Sequence, residues 1–230
     1  MADTAWKQTC FASIITAIIT AIVTFAGTAY LQGHQDDRAD KARFLDGAQT
    51  TAQETSRLLD NGYIALGKLL KGMDQKGWED FSKGPLAEYM EFRRGWRQQL
   101  IAQHFKLSRY FGKKVANDLI RIDEIGIRPT ADLTSSSPCT PVREVKNLDI
   151  EKLAAEIECY AQFVTMKQDA INSELDASQT DEMLEALDSK LSLMNQTKRL
   201  LRHYDKTSVA YLRNLDASLT TLGASNVTAL

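Results

Sequence analysis

The chain reads as an all-α protein: an N-terminal transmembrane helix followed by an elongated bundle of four to five helices. Three observations predict this. A run of 26 residues, Gln8 to Gly33, carries no charge. Beyond it, apolar residues recur at steps of three and four, the spacing of one helix face. No segment alternates apolar and polar residues for long, which leaves no case for strands.

The first element is the charge-free run. A helix rises about 1.5 Å per residue, so roughly 20 residues cross a hydrocarbon core near 30 Å thick. The apolar core is longer than a signal peptide's, and Asp3 and Lys7 replace the basic start that such a peptide shows. Trp6 and Tyr30 flank the run, where aromatic rings favour the membrane interface. Residues 1–33 are therefore expected to be an uncleaved anchor, and 34–230 the bundle.

Within "IITAIITAIVT" a threonine recurs about once per turn. Ser13, Thr16, Ala17, Thr20, Ala21, Thr24 and Thr28 form a stripe of small and hydroxyl side chains. In lipid, such residues let helices approach closely and hydrogen-bond across the contact. The stripe is a candidate self-association face or, in a ring of copies, a lumen lining. Alternatively, the hydroxyls bond back to their own helix.

From Leu45 a second stripe runs through Ala48, Ala52, Thr55, Leu59, Tyr63, Leu66, Leu70 and Met73. It predicts a helix continuous with the anchor, hinged at Gly33 and His34. Gly72, Gly77 and the Gly84-Pro85 pair predict a turn, with Pro85 starting the next helix. Helices are then expected over 86–105 and 107–125, bent at Gly112. Three of the four prolines and a serine run fall in "RPTADLTSSSPCTPV", which predicts an exposed loop over about 128–146. A fourth helix is expected over 148–175. A fifth opens near Ser178 and Asp181; its apolar face is Met183, Leu187, Leu191, Met194, Leu201, Leu212, Leu215, Leu219 and Leu222.

Charge is segregated although the net charge is only −2. Residues 93–114 carry Arg93, Arg94, Arg97, Lys106, Arg109, Lys113 and Lys114 with no acid. Such a patch suits RNA phosphates, anionic lipid or an acidic protein face. A plainer reading makes Trp96, Leu100, Leu107 and Phe111 core and the cations a solvated face. The acidic counterpart is Glu174, Asp176, Asp181, Glu182, Glu185 and Asp188, which either meets the basic patch between copies or favours a helix start.

The chain has no phosphate-binding glycine loop, nucleophile elbow or His-Glu-x-x-His pair. Three histidines lack the Glu-x-x-His repeats of di-metal carboxylate bundles. No metal or cofactor is expected. His34 falls at the expected headgroup zone, and His203, beside Arg202 and Tyr204, reads as a buried, hydrogen-bonded side chain. Three cysteines fit no zinc spacing. Cys10 sits at the membrane edge; Cys139 and Cys159 pair in an oxidising compartment and stay reduced in a cytoplasm.

One pairing suggests chemistry. Arg97 and His104, in "RQQLIAQH", match the loose Arg–His spacing of HEPN ribonucleases. The layout of a short membrane helix joined to an α-bundle resembles the HEPN-like membrane accessory proteins of RNA-targeting CRISPR systems. That resemblance implies assembly into a membrane pore, association with RNA and a role in antiphage defence.

Taken together, the sequence predicts a single-pass inner-membrane protein that self-associates and works as a non-enzymatic scaffold or membrane effector. The alternatives are the HEPN-like RNA-associated pore and a helical-bundle sensor outside the inner membrane. Cations at Arg38, Lys41 and Arg43, against Lys7 and the terminal amine, lean the body toward the cytoplasm by about one charge.

Overall fold

The computed structural model describes the backbone at residues 2–75, 77–124, 139, 149–174 and 180–227, and side chains at 38–75, 77–124, 139, 149–167, 188 and 190–224. Among these residues the chain is helical, with no strand. The elements are α1 (Ala2–Gln75), α2 (Trp78–Phe81), a π-helical turn (Ser82–Leu86), α3 (Ala87–Phe111), α4 (Lys113–Leu119), a 3-10 turn (Ile122–Glu124), α5 (Ile150–Glu174) and α6 (Thr180–Val227). The side chains of the charge-free run, with the stripe from Ser13 to Thr28, lie outside the described residues. No helix among the described residues is long and apolar enough to cross a membrane.

The chain divides into two compact units, Met1–Asp46 and Gly47–Leu230. In the first, α1 continues through Gly33 and His34, where the sequence predicts a hinge. A lone helical glycine costs only about 1 kcal/mol, too little to force a break. The described end of this unit is exposed apart from the half-buried Leu45, with Arg43 paired to Asp40 at 3.4 Å.

In the second unit α1 buries the expected face: Ala48, Thr55, Leu59, Leu66, Leu70 and Met73 are all at least nine-tenths covered. Tyr63 departs from it, 40% exposed. The stripe passes instead through Gly62, because aromatic rings enter from two other helices there. A Cβ on Gly62 would overlap the Tyr204 hydroxyl and the Trp96 indole. Trp96 donates its indole N–H to the Leu58 carbonyl at 2.8 Å, and Tyr204 its hydroxyl to the Leu59 carbonyl at 3.2 Å. These bonds tie α1 to α3 and α6. Lys198 reaches Asp74 at 2.7 Å, so α6 runs antiparallel to α1.

Pro85 does not start a helix as expected. It sits inside the π-helical turn that joins α2 to α3. Proline has no N–H to give, and a wider turn absorbs the missing bond without ending the helix. Its ring fills the space left by Gly72, where a Cβ would overlap it. The break expected near Phe105–Leu107 falls instead at Gly112, whose φ of 89° suits glycine.

Asp149 opens α5. Its Oδ1 accepts the Lys152 N–H at 2.8 Å, an N-cap bond. No residue of α5 from Ile150 to Thr165 is exposed, so this stretch is enclosed on every side. The core face of α6 also differs from expectation. Leu215 is buried as expected and Met194, Leu201 and Leu212 are partly buried against the core, but Leu200, Tyr204 and Tyr211 are the other buried residues and Leu191 is 53% exposed. Of the predicted exposed loop, only Cys139 is described, and it is 6% exposed and disulfide-bonded to Cys159 on α5. A covalent tie to an enclosed helix pulls that residue into the core.

Candidate functional site

The densest buried polar grouping lies between α3 and α5. Tyr89, Arg93 and Arg97 follow at four-residue steps along one line of α3; Glu151, Glu158 and Gln162 face them from α5. Arg93 is forked: Nη1 donates to Glu158 Oε2 at 2.7 Å and Nη2 to Glu151 Oε1 at 3.2 Å. Arg97 Nε lies 3.4 Å from the same Glu151 oxygen, and Gln162 Nε2 donates to Glu158 Oε1 at 3.0 Å. The side chains of Arg93, Glu151 and Glu158 are 11%, 8% and 7% exposed.

Two guanidiniums against two carboxylates make this seam electrically balanced. Burial alone pulls the Arg93 guanidinium down, but Glu158 and Glu151 outweigh it and hold it above its ordinary value. Burial, with Glu158 beside it, pushes the Tyr89 phenol up, so it stays a neutral hydroxyl. That hydroxyl has no hydrogen-bond partner among the described residues. Every charge here is answered by another, an arrangement that fixes the register of two helices and leaves neither an acid nor a base aimed at open space.

A second grouping caps α5. Lys152 pairs with Glu124, and Glu124 takes Arg121 at 3.2 Å. Asp149, 4% exposed, spends Oδ1 on the cap, while Oδ2 has no hydrogen-bond partner among the described residues. Burial raises its carboxyl to about 6, against the opposing pull of the Lys152 N–H. Beside it, an open groove is lined by Lys113, Lys114, Asn117, Asp118, Arg121, Asp123 and Glu124, three cations against three acids. No group of side chains among the described residues could hold a metal ion.

His104 is 6% exposed. Its Nδ1 lies 3.1 Å from the Ala116 carbonyl and 2.9 Å from that of Ile120. Both are acceptors, so Nδ1 carries the hydrogen and satisfies the last turn of α4. Arg97 thus faces α5, and His104 faces the end of α4. Next to His104, Gln103 Nε2 donates to the Thr51 carbonyl at 2.6 Å and to Thr55 Oγ1 at 2.8 Å.

The remaining cations of the basic patch are dispersed. Arg94 pairs with Glu91 at 2.9 Å and Lys106 with Glu54 at 2.7 Å. Lys113 lies 3.8 Å from Asp123. Arg109 stands over the Tyr110 ring, and Lys114 is exposed in the groove. Of the acidic patch, Asp188 is exposed; the side chains of Glu174, Asp176, Asp181, Glu182 and Glu185 lie outside the described residues. His203 is half-buried on α6. His34 and Cys10 side chains lie outside the described residues.

The acids that answer Arg93 are therefore Glu151 and Glu158, which the sequence reading passed over. Their signal was present: both stand beside Ile150, Ala154, Ile157 and Ala161, on the largely apolar, buried side of α5. A charge on that side needs a buried partner of opposite sign.

No protein-family model matches this chain, and comparison with curated proteins and with solved structures likewise gives no match.

Proposed function

We propose that this protein is a membrane-anchored, self-associating helical scaffold whose bundle stands on the oxidising side of the membrane. The observation that carries the reading is the Cys139–Cys159 disulfide. Disulfides persist in periplasmic and extracellular settings and are rare in a reducing cytoplasm. The positive-inside margin is about one charge and points the other way, but a covalent bond is the stronger argument.

The charge-free run supports an anchor, and its small-residue stripe supports contact between copies. The charged side chains of the α3–α5 seam are spent on one another, which favours a protein that works by contact over one that performs chemistry. The alternative of a bundle sensor shares this location and requires in addition a ligand. The HEPN-like pore reading draws no support from Arg97 and His104, which face different partners.

The test counts free thiols in cells quenched with acid and alkylated after denaturation. One thiol, from Cys10, is expected before reduction and three after it. Three thiols in untreated cells would place the body in a reducing compartment and remove the reading.

A further inference from the structure

We propose that the disulfide is a redox-sensitive latch on the α3–α5 seam, resting on the same compartment reading. The covalent ring closed by Cys139 and Cys159 contains Asp149, Glu151 and Glu158. These are the N-cap of α5 and both carboxylates that hold Arg93. Cys159 directly follows Glu158. The side-chain bonds that tie α1 to α3 and α6, by contrast, lie outside the ring: Trp96 to Leu58, Gln103 to Thr51 and Thr55, and Tyr204 to Leu59. So does Tyr211, which donates to the Val115 carbonyl at 2.9 Å and ties α6 to α4.

The bundle therefore has two sets of fastenings, one enclosed by the disulfide and one independent of it. A dithiol reductant transfers two electrons and two protons to the sulfurs, giving two cysteine thiols, and closes to its own disulfide. The freed ring regains the loop entropy that closure had removed. The first half of α5 then opens more readily, and Arg93 loses its partners, while α1, α3 and α6 stay bonded through Trp96 and Tyr204. Cys159 is only partly buried, which gives a thiolate a route to attack.

Hydrogen exchange read by mass spectrometry tests this on full-length protein in mild detergent, before and after dithiothreitol. Reduction should speed exchange roughly 100-fold over 150–160 and to a lesser degree over 89–93, leaving 51–66, 96–103 and 197–211 protected. The pair C139S/C159S should reproduce the pattern without reductant. Glu158→Gln should loosen 89–93 with the disulfide intact. Release of two thiols with unmoved exchange, or loss of protection in all helices at once, overturns the latch alone. Three reactive thiols in the untreated protein overturn the latch and the compartment reading together.

Discussion

A methyl group on Gly62 has nowhere to go, since Trp96 and Tyr204 already occupy its place. Gly62→Ala adds about 1 kcal/mol of helix propensity and incurs about 1–3 kcal/mol of overpacking. We expect net destabilisation, read as a lower urea midpoint; an equal or higher midpoint would show that the rings can yield. Arg93 sets a sharper contrast. Arg93→Met leaves the buried Glu158 without a cation and Glu151 with Arg97 alone, and should cost about 3–5 kcal/mol. Adding Glu158→Leu to it should recover part of that loss, and strictly additive costs in a double-mutant cycle would deny the coupling. Asp149 gives a pH signature. Its folded carboxyl titrates at about 6, above the unfolded value near 3.9. The folded state thus binds the extra proton between those values, and stability falls as pH rises from about 4 through about 6. Asp149→Asn keeps an oxygen for the Lys152 N–H and has no charge to bury. It should match the wild type near pH 4 and exceed it at pH 7 by on the order of 1–3 kcal/mol. A gap that does not change with pH would refute this account.

At the scale of helices, the longest periodic stretches were legible and the junctions were not. Spacing alone located α5 and α6 to within a few residues and most of the core face of α1. It erred where another helix decides the matter. Tyr63 fits the α1 stripe by spacing, but the space at that level is filled by Trp96 and Tyr204, so the small Gly62 turns inward and Tyr63 outward. Pro85 carries the local signal of a helix start, yet Gly72 gives its ring a seat and the chain stays helical around it. The basic stretch looked like one patch because its cations are adjacent in sequence. In space they point in different directions, and most of them meet acids of α1, α3, α5 or the 3-10 turn. His104 belongs to the same class: its partners are backbone carbonyls of α4, which no sequence pattern announces. His104→Ala removes the ring N–H shared by the Ala116 and Ile120 carbonyls and should cost about 1–3 kcal/mol, with faster exchange at 113–120. Unchanged exchange there would mean the histidine does not hold α4.

For the whole molecule, the reading depends on attachment to a bilayer. Full-length protein should resist extraction by alkaline carbonate, and a version starting at Asp46 should not; release of both would remove the anchor. Particle size in mild detergent addresses self-association, for which a strictly monomeric species would leave the small-residue stripe without a role. One more consequence belongs to the π-helical turn. An extra residue in a helix advances everything after it by about 100°. The widened loop around Pro85 thus sets the angular phase of α3, and with it the azimuth at which Arg93 meets α5. Shortening that loop by one residue would rotate the guanidinium toward water while leaving every downstream amino acid unchanged.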